Sequence, residues 1–556
     1  MRRARAGALV VAVATVLAGC VALPTSGPVT SGIEAVQEHE DVDVLAQGPQ
    51  PGADPADVVE GFLLAMGTEV IGDFDVTREY LSADERDEWD PGASTVVASG
   101  TRVEQSGEAQ VTVAIEVTAK IDAEGRYVEA PADARETLRY GLVQDARGEW
   151  RIADAPDGVV VLARRFAQQF RGVQIHFLTP DRTALVPEER WFRNHPRNLP
   201  TSVVQALVAG PSPWLRDAVV TEVPVGTELK PEAVTVEDGV ASFSLEPAQA
   251  VQAADRGLLL AQIEASLGPL GVAAVELHAG SAAALEGEAT VLPPAAPERI
   301  EVLADGRTLA LTNGALAPVA DVGVVEGARP QGAARSADGS VRVALADAGT
   351  LVTVPVGDAP QQVLLTGARL AAPSVDRFGW VWTAGAGADG ELDVVQTDGT
   401  TSRLRPAWLA GREVQAVRVS RDGTRLAVVS TGPDGSTLEV AGIVRDDQGG
   451  PVTIGEGVRA GARLDPTGSV VWVDDVTLGV LSEGESGVTP YFVPVSGGSR
   501  PLPAVADAVA LAADRGQGTV YAVTAEGDLL RHQGGTWSAV RGVTGTLEVT
   551  AASFPG

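Results

Sequence analysis

Hydrophobic and polar residues change their spacing along this chain of 556 residues. From Pro55 to Met66 the apolar residues recur every three to four positions, which predicts an amphipathic helix. Residues 111–117 alternate strictly between apolar and polar, which predicts a strand with one buried face. Further strands are predicted on both sides of Gly148. A helix followed by a curved antiparallel sheet predicts a compact α+β domain over residues 54–160.

The order of these elements resembles that of the cone-shaped NTF2-like group. The pocket of such domains is often apolar, but this sequence offers no paired acid and base that would make it catalytic. We therefore expect a packed core here and not a working site.

A second pattern, over residues 161–298, mixes helices and strands and predicts an α/β unit. Asp238-Gly239 stands between two short apolar runs and predicts a type I′ hairpin turn. The region resembles the GerMN domain first described in spore-germination and sporulation proteins. The motifs that carry this resemblance are VQIHFLTP at 173–180, LVPEERWF at 185–192, VVQALVAGP at 203–211, VPVGTEL at 223–229 and VTVEDGVASFSL at 234–245. They describe a fold and contain no catalytic group.

From residue 299 to 556 short strands alternate with turns. The pattern apolar–x–apolar–Ser–x–Asp–Gly precedes an apolar strand in ARSADGSVRVAL at 334–345 and VRVSRDGTRLAVVS at 417–430. Weaker copies place aspartates at 305, 376, 465 and 514, so the separations run from 33 to 49 residues. Repeats of this length with short strands indicate an all-β propeller. We predict six blades, or seven if strands before residue 299 contribute.

Three groups of residues in these regions have a chemical and a structural interpretation. The Asp-Gly pairs suggest calcium loops, but they occur one per turn, which favours hairpin geometry. Trp380, Trp382, Trp472 and Trp537 are able to stack on a sugar, although packing between blades explains them better. His176, His195 and His278 are separated by 19 and 83 residues, which matches no metal-ligand spacing, so we predict structural histidines.

The amino-acid composition and the absence of known motifs exclude several classes of function. Acidic residues outnumber basic ones by 74 to 42, and the resulting charge of −32 repels phosphate backbones, so we predict no nucleic-acid partner. A single cysteine permits neither an intramolecular disulfide nor a thiolate metal cluster. No nucleophile elbow, zinc-binding helix motif or P-loop is present, so we predict no catalytic residue, no cofactor and no metal.

The N-terminus predicts the compartment. Arginines at 2, 3 and 5 precede an uncharged run of 13 residues from Ala6 to Ala18, which is too short to span a bilayer and is typical of a secretory signal. Leu17, Ala18, Gly19 and Cys20 then resemble a bacterial lipobox. This resemblance implies cleavage after Gly19 and a diacylglyceryl group on the Cys20 sulfur. We expect residues 1–19 to be a signal peptide and residues 20–53 a lipidated, flexible tether. The alternative is a secreted protein with an incidental cysteine.

The complete order of segments resembles the LpqB lipoproteins of actinobacteria. This resemblance implies an anchor in the outer leaflet of the cytoplasmic membrane and an extracytoplasmic location. It also implies a partner, the extracytoplasmic domain of an MtrB-like sensor histidine kinase, and a non-enzymatic role in cell-wall homeostasis and division. Cys20 is the one residue of this sequence for which the family resemblance implies a functional role. The alternatives are a propeller-based hydrolase of cell-wall polysaccharide, which needs only two placed carboxylates, and a binding lipoprotein.

Overall fold

The computed structural model describes residues 46–69, 74–280, 284–285, 287–290, 299–312, 314–387, 389–484, 487–540 and 547–555. The first helix, α1 (Pro55–Thr68), begins after Asp54, whose side chain caps it by accepting a hydrogen bond from the backbone N–H of Asp57 at 2.9 Å. Val59 and Phe62 on its inner face are completely buried, as the apolar spacing predicts.

The remaining elements of the first domain form a six-stranded sheet and two short helices. They are α2 (Asp75–Arg78), α3 (Ala83–Glu88), β1 (Ser94–Gln105), β2 (Gln110–Asp122), β3 (Tyr127–Glu129), β4 (Arg135–Gln144), β5 (Trp150–Asp154) and β6 (Val159–Leu162). The sheet order is β5-β4-β2-β1-β6, and β3 pairs with β2. Only the β1–β6 pairing is parallel. Alternate residues of β2, including Val113 and Ile115, are buried in the core that α1 covers, so the predicted α+β domain is confirmed.

The second domain is an α/β unit. Its elements are α4 (Ala163–Gln169), β7 (Phe170–Leu178), β8 (Leu185–Arg193), α5 (Leu199–Ala209), β9 (Glu228–Leu229), β10 (Thr235–Glu237), β11 (Val240–Glu246), α6 (Ala248–Ala253), α7 (Arg256–Leu267) and β12 (Ala274–Ala279). Strands β7 and β8 pair with each other, while β10, β11 and β12 form a sheet in which β9 also pairs with β11. Positive φ angles of 50° at Asp238 and 80° at Gly239 confirm the predicted type I′ turn.

The third domain consists of six small sheets in the described part of the chain. Their strands are β13 (Glu301–Ala304), β14 (Arg307–Thr312), β15 (Ala315–Pro318), β16 (Gln331–Arg335), β17 (Arg342–Asp347), β18 (Thr350–Thr353), β19 (Val363–Thr366), β20 (Ser374–Val375), β21 (Val381–Thr383), β22 (Leu392–Val395), β23 (Thr401–Leu404), β24 (Glu413–Val419), β25 (Arg425–Gly432), β26 (Gly435–Arg445), β27 (Pro451–Ile454), β28 (Val458–Ala460), β29 (Asp465–Trp472), β30 (Thr477–Glu483), β31 (Thr489–Pro494), β32 (Arg500–Pro501), β33 (Ala508–Ala513), β34 (Val520–Thr524), β35 (Leu529–Gln533), β36 (Thr536–Ala539) and β37 (Val549–Ser553).

These sheets are the six blades of a propeller. The last strand, β37, is the innermost strand of the first blade, where it pairs with β13. It also contacts β16 of the second blade and β33 of the sixth. The C-terminal strand therefore closes the ring, which leaves only short sheet edges exposed. Six blades are confirmed, and none of the described strands before residue 299 joins the propeller sheets.

The repeat register that the sequence suggests is wrong at two aspartates. Asp305 lies in the β13–β14 turn, one strand outward from the turns of the other copies, because the first blade takes its innermost strand from the C-terminus. Asp465 begins the innermost strand β29, and Asp474 occupies the turn that follows. A register shift between Pro466 and Val470 interrupts β29. The turn-like residues of this segment therefore lie at an irregularity within the strand and not in a turn between strands.

Candidate functional site

The predicted lipid-attachment residue lies outside the described residues. This residue is Cys20, and the predicted recognition residues of the signal peptidase, Leu17, Ala18 and Gly19, also lie outside the described residues. Among the described residues no helix is both long enough and apolar enough to span a bilayer.

The three histidines considered as ligands lie on separate elements: His176 on β7, His195 before α5 and His278 on β12. Burial lowers the pKa of His176 to about 4, so this imidazole is neutral at physiological pH. No group of three or more histidine, cysteine or acidic side chains in the described ranges is placed to hold a metal ion.

The tryptophans of the propeller mostly belong to its core. Trp382 is completely buried, and its Nε1 donates a hydrogen bond to Asp376 at 2.9 Å. Trp380 and Trp472 are buried as well. These three rings are covered by protein and are not available to stack on a sugar from solvent. Trp537 is more exposed, and its Nε1 donates to the carbonyl oxygen of Pro503 at 2.8 Å.

The aspartates of the repeats hold turns together. Asp376 shows this best, because its carboxylate accepts hydrogen bonds from the backbone of Phe378 and Trp380, from Trp382, and from Arg445 at 2.6 Å. Both oxygens are thus occupied by protein donors. These hydrogen bonds of Asp376 fit the predicted hairpin geometry.

The axis of the propeller contains a narrow channel with a cavity of about 30 Å³. Small residues such as Ala334, Ala512 and Ala552 line it together with Arg418 and Arg421, and no carboxylate is among the described lining residues. A glycosidase needs two carboxyl groups several ångströms apart across its substrate. The channel lining does not supply them, and the cavity is too small for a sugar.

The second domain is docked onto the propeller through polar contacts. Arg425 at the start of β25 donates to the carbonyl oxygen of Pro187 at 3.1 Å, and Arg377 pairs with Asp181 at 2.5 Å. The backbone N–H of Gly442 donates to the carbonyl oxygen of Trp214 at 3.1 Å. A Cβ atom at Gly442 would lie 2.7 Å from the Cβ of Ala218, so this close approach requires glycine.

The first domain is docked onto the fifth blade. Arg463 donates to the carbonyl oxygens of Val117 and Ala130 at 3.2 and 3.3 Å. The Ser499 hydroxyl donates to Glu129 at 3.1 Å. These bonds involve the central strand β2 and the residues at and just after the end of β3, so the contact depends on the register of these two strands.

Trp191 on β8 contacts all three domains. Its backbone N–H donates to the carbonyl oxygen of Gly125 at 2.7 Å, and its Nε1 donates to the carbonyl oxygen of Ser496 at 2.7 Å. Its ring lies 5.8 Å from that of Tyr127 and 5.0 Å from that of Phe166, between centroids. Trp191 thus belongs to an aromatic cluster and donates hydrogen bonds across two domain boundaries. Residues 46–555, as far as they are described, accordingly form one compact unit.

A cleft of about 420 Å³ lies where the three domains meet. We call it the junction cleft. Its walls include Tyr127 and Val128 of the first domain, Glu189 and Trp214 of the second, and a propeller wall made by Arg425, Val458 and Val495. The cleft combines apolar side chains with charged ones, among them the carboxyl groups of Asp122, Glu188, Glu189 and Glu456. In its wall the Ser212 hydroxyl donates a hydrogen bond to Glu188, whose carboxylate also pairs with the buried Arg190. A concave site with this mixed lining is suited to binding.

The carboxyl group of Glu189 is the unusual titratable group of this cleft. Burial, followed by repulsion from the Asp474 carboxylate, raises its pKa to about 7. The side chain lies beside Gly172, where a Cβ atom would come within 2.8 Å of a Glu189 oxygen. Sequence reasoning did not identify Glu189 or Trp191 as functional residues, because the roles of both side chains arise from contacts between domains.

Comparison with protein families supports this domain order. Residues 48–167 match the profile described as the N-terminal domain of lipoprotein LpqB. Residues 174–282 match the Germane profile of sporulation and spore germination, and residues 306–548 match the profile of the LpqB β-propeller domain. The fold thus defines a class of multidomain protein that joins an α+β domain, a GerMN domain and a six-bladed propeller.

The chain belongs to the LpqB family, whose curated members are named lipoproteins and not enzymes. Lipoprotein LpqB of Cutibacterium acnes is 28% identical over 98% of this chain and 99% of its own length. The Streptomyces coelicolor relative is 29% identical over 88% of this chain and 87% of its own. A solved structure of virginiamycin B lyase from Staphylococcus aureus shares 11% identity over 47% of this chain and 89% of that chain, with a TM-score of 0.30, which is too low to support an inference.

Proposed function

We propose that this chain is a non-enzymatic, membrane-anchored extracytoplasmic lipoprotein that assists or regulates an MtrB-like sensor histidine kinase in cell-wall homeostasis and division. A diacylglyceryl group on Cys20 holds it in the outer leaflet of the cytoplasmic membrane. Membership in a family named as lipoproteins supports the anchor, and the lipobox-like residues 17–20 supply its position. The kinase partner comes from the family resemblance.

The observation that carries this proposal is the junction at which the three domains contact one another. Trp191 bonds to both neighbouring domains and so holds the walls of the junction cleft together. A preformed cleft binds a partner with a smaller entropic cost than three independently moving domains. Confinement at the membrane then raises the effective concentration of the cleft near a neighbouring ectodomain. We assign the kinase contact to this cleft, where Val128 is 52% exposed.

The test is crosslinking in membranes followed by affinity purification of the lipidated full chain. Wild-type protein is expected to recover the kinase ectodomain. Val128→Asp places a charge in an apolar contact and is expected to reduce recovery at least tenfold. Val363→Asp is the matched control, because Val363 is 62% exposed on β19 and does not line the cleft. Equal recovery with both variants rejects the cleft, and no kinase recovery with wild-type protein rejects the partner.

The anchor has its own test. Cys20→Ser removes the thiol to which the lipid is attached, so the protein is expected to lose labelling by a radioactive fatty acid and to keep its signal segment. Unchanged labelling and processing of the variant contradict lipidation at Cys20. Turnover of cell-wall polysaccharide by the purified wild-type chain contradicts the non-enzymatic assignment and favours the hydrolase alternative.

A further inference from the structure

Two arginines of the fourth blade occupy the propeller axis. Arg418 belongs to the innermost strand β24, and Arg421 follows it in the next turn. Both line the axial channel, opposite positions where other blades have residues such as Ala334, Ala512 and Ala552. The small side chains leave the space that the two guanidinium groups fill.

Arg418 has no acidic partner among the described residues. Its Nη1 donates one hydrogen bond, to the carbonyl oxygen of Pro373 at 2.6 Å. Burial lowers the pKa of this guanidinium to about 10, and no nearby charge contributes to the shift. The group therefore remains a cation at neutral pH. A buried cation is costly unless an anion offsets it.

Other buried arginines of the propeller show the usual solution. Arg445 pairs with Asp376 at 2.6 Å, and Arg425 pairs with Asp422. Both carboxylates lie within the same layer of turns. Arg418 departs from this rule: it is partly exposed towards the axial channel, and no carboxylate among the described residues pairs with it.

Arg421 lies beside the same cavity but is partly compensated. Its Nη2 donates to the carbonyl oxygens of Trp472 at 3.3 Å, of Ala513 at 3.2 Å, and of Asp514. The Asp514 and Asp475 carboxylates stabilise its charge, which opposes the lowering of its pKa by burial. Its Nη1 is buried and has no hydrogen-bond partner in the described structure. The cavity thus adjoins a buried Arg421 donor without an acceptor and the Arg418 guanidinium, which has no acidic partner among the described residues.

We propose that the propeller axis binds one small monovalent anion, of chloride or carboxylate size, beside Arg418. A cavity of about 30 Å³ has room for an occupant not much larger than a water molecule and excludes phosphate esters and glycans. The anion offsets the Arg418 charge and accepts hydrogen bonds that protein atoms leave unmade. This site is independent of the junction cleft and of the kinase partner.

Chloride-35 NMR relaxation of the intact chain tests the proposal in solution. Wild-type protein is expected to broaden the chloride line, and formate is expected to compete if the site also takes carboxylates. Arg418→Met keeps an unbranched apolar stem and is expected to abolish the broadening. Arg403→Met is the control, because Arg403 is exposed and pairs with Asp393 at 3.0 Å away from the axis. Broadening that persists in Arg418→Met overturns the proposal.

A second measurement does not depend on whether the Arg418 variant folds. Crystals of wild-type protein soaked in sodium bromide are expected to show an anomalous peak within contact distance of the Arg418 guanidinium. An axis that holds only water in bromide, together with an absence of excess chloride broadening, rejects the site.

Discussion

The turns of the second and fourth blades have nearly the same local sequence and geometry but different tertiary roles. In the second blade, the Ser336 hydroxyl donates to Asp338 at 2.6 Å, and the backbone N–H of Ser340 donates to the same oxygen at 3.0 Å. In the fourth, the Ser420 hydroxyl donates to Asp422 at 2.8 Å, and the backbone N–H of Thr424 does so at 2.8 Å. Each turn ends in a glycine with positive φ.

The difference lies one residue further on. Val341 follows Ser340 in the second blade, whereas Arg425 follows Thr424 in the fourth. The Arg425 side chain pairs with Asp422 and reaches the carbonyl oxygens of Pro187 at 3.1 Å and Asp475 at 2.5 Å. A single long cationic side chain thus converts a local turn into an attachment point for the second domain. The hairpin motif determines the turn, and its neighbour determines whether that turn contacts another domain.

The largest loss of stability is expected for Arg425→Val, which gives the fourth blade the residue that the second blade has at this position. Arg425 is 1% exposed, and its loss leaves Asp422 buried without its cation. We expect the free energy of unfolding to fall by about 3–5 kcal/mol. Urea denaturation measures this loss, and limited proteolysis reports whether the second domain is released.

The double variant Arg425→Val/Asp422→Asn is the companion to this experiment. Removing both charges avoids the unpaired carboxylate, so part of the lost stability is expected to return. A single variant as stable as the wild type shows that Arg425 does not hold the domains together.

An effect of intermediate size is expected for the pH dependence of stability that Glu189 causes in the junction cleft. The pKa of Glu189 rises from an ordinary value of 4.5 to about 7, because the side chain is buried and faces Asp474. Its contribution to stability is therefore complete below pH 4.5 and is lost as the pH rises to 7, by about 3 kcal/mol at most. Glu189→Gln is expected to remove this dependence and to be the more stable protein at pH 8. Denaturation of both proteins at pH 5 and pH 8 measures the difference, and parallel curves contradict it.

The smallest change in the free energy of unfolding is expected for the Asp338 turn of the second blade. Asp338→Asn keeps a side-chain oxygen for the Ser336 and Ser340 donors, and Asp338 has no arginine partner to lose. We expect a change of about 1 kcal/mol or less. Asp422→Asn leaves Arg425 unpaired and is expected to cost several times more. Equal losses at the two positions, measured by thermal unfolding, show that both turns are purely local.

Much of the fold is predictable because it depends on local chemistry. The helix at Pro55–Thr68, the alternating strand β2 and the Asp238-Gly239 turn follow from apolar spacing and from backbone freedom at positive φ. The number of blades follows from repeat length. The register of the repeats does not, since the first blade is completed by β37, more than 230 residues away from β13.

The class of each of the three domains follows from the amino-acid order alone, because hydrophobic periodicity and turn residues act over a few neighbouring positions. Contacts between distant segments settle which turns dock, that Trp191 joins three domains, and that Arg418 has no acidic partner among the described residues. These properties depend on which side chains meet across distant segments. The free energy of burying a charge or an aromatic ring is set by those neighbours and not by the residue type alone.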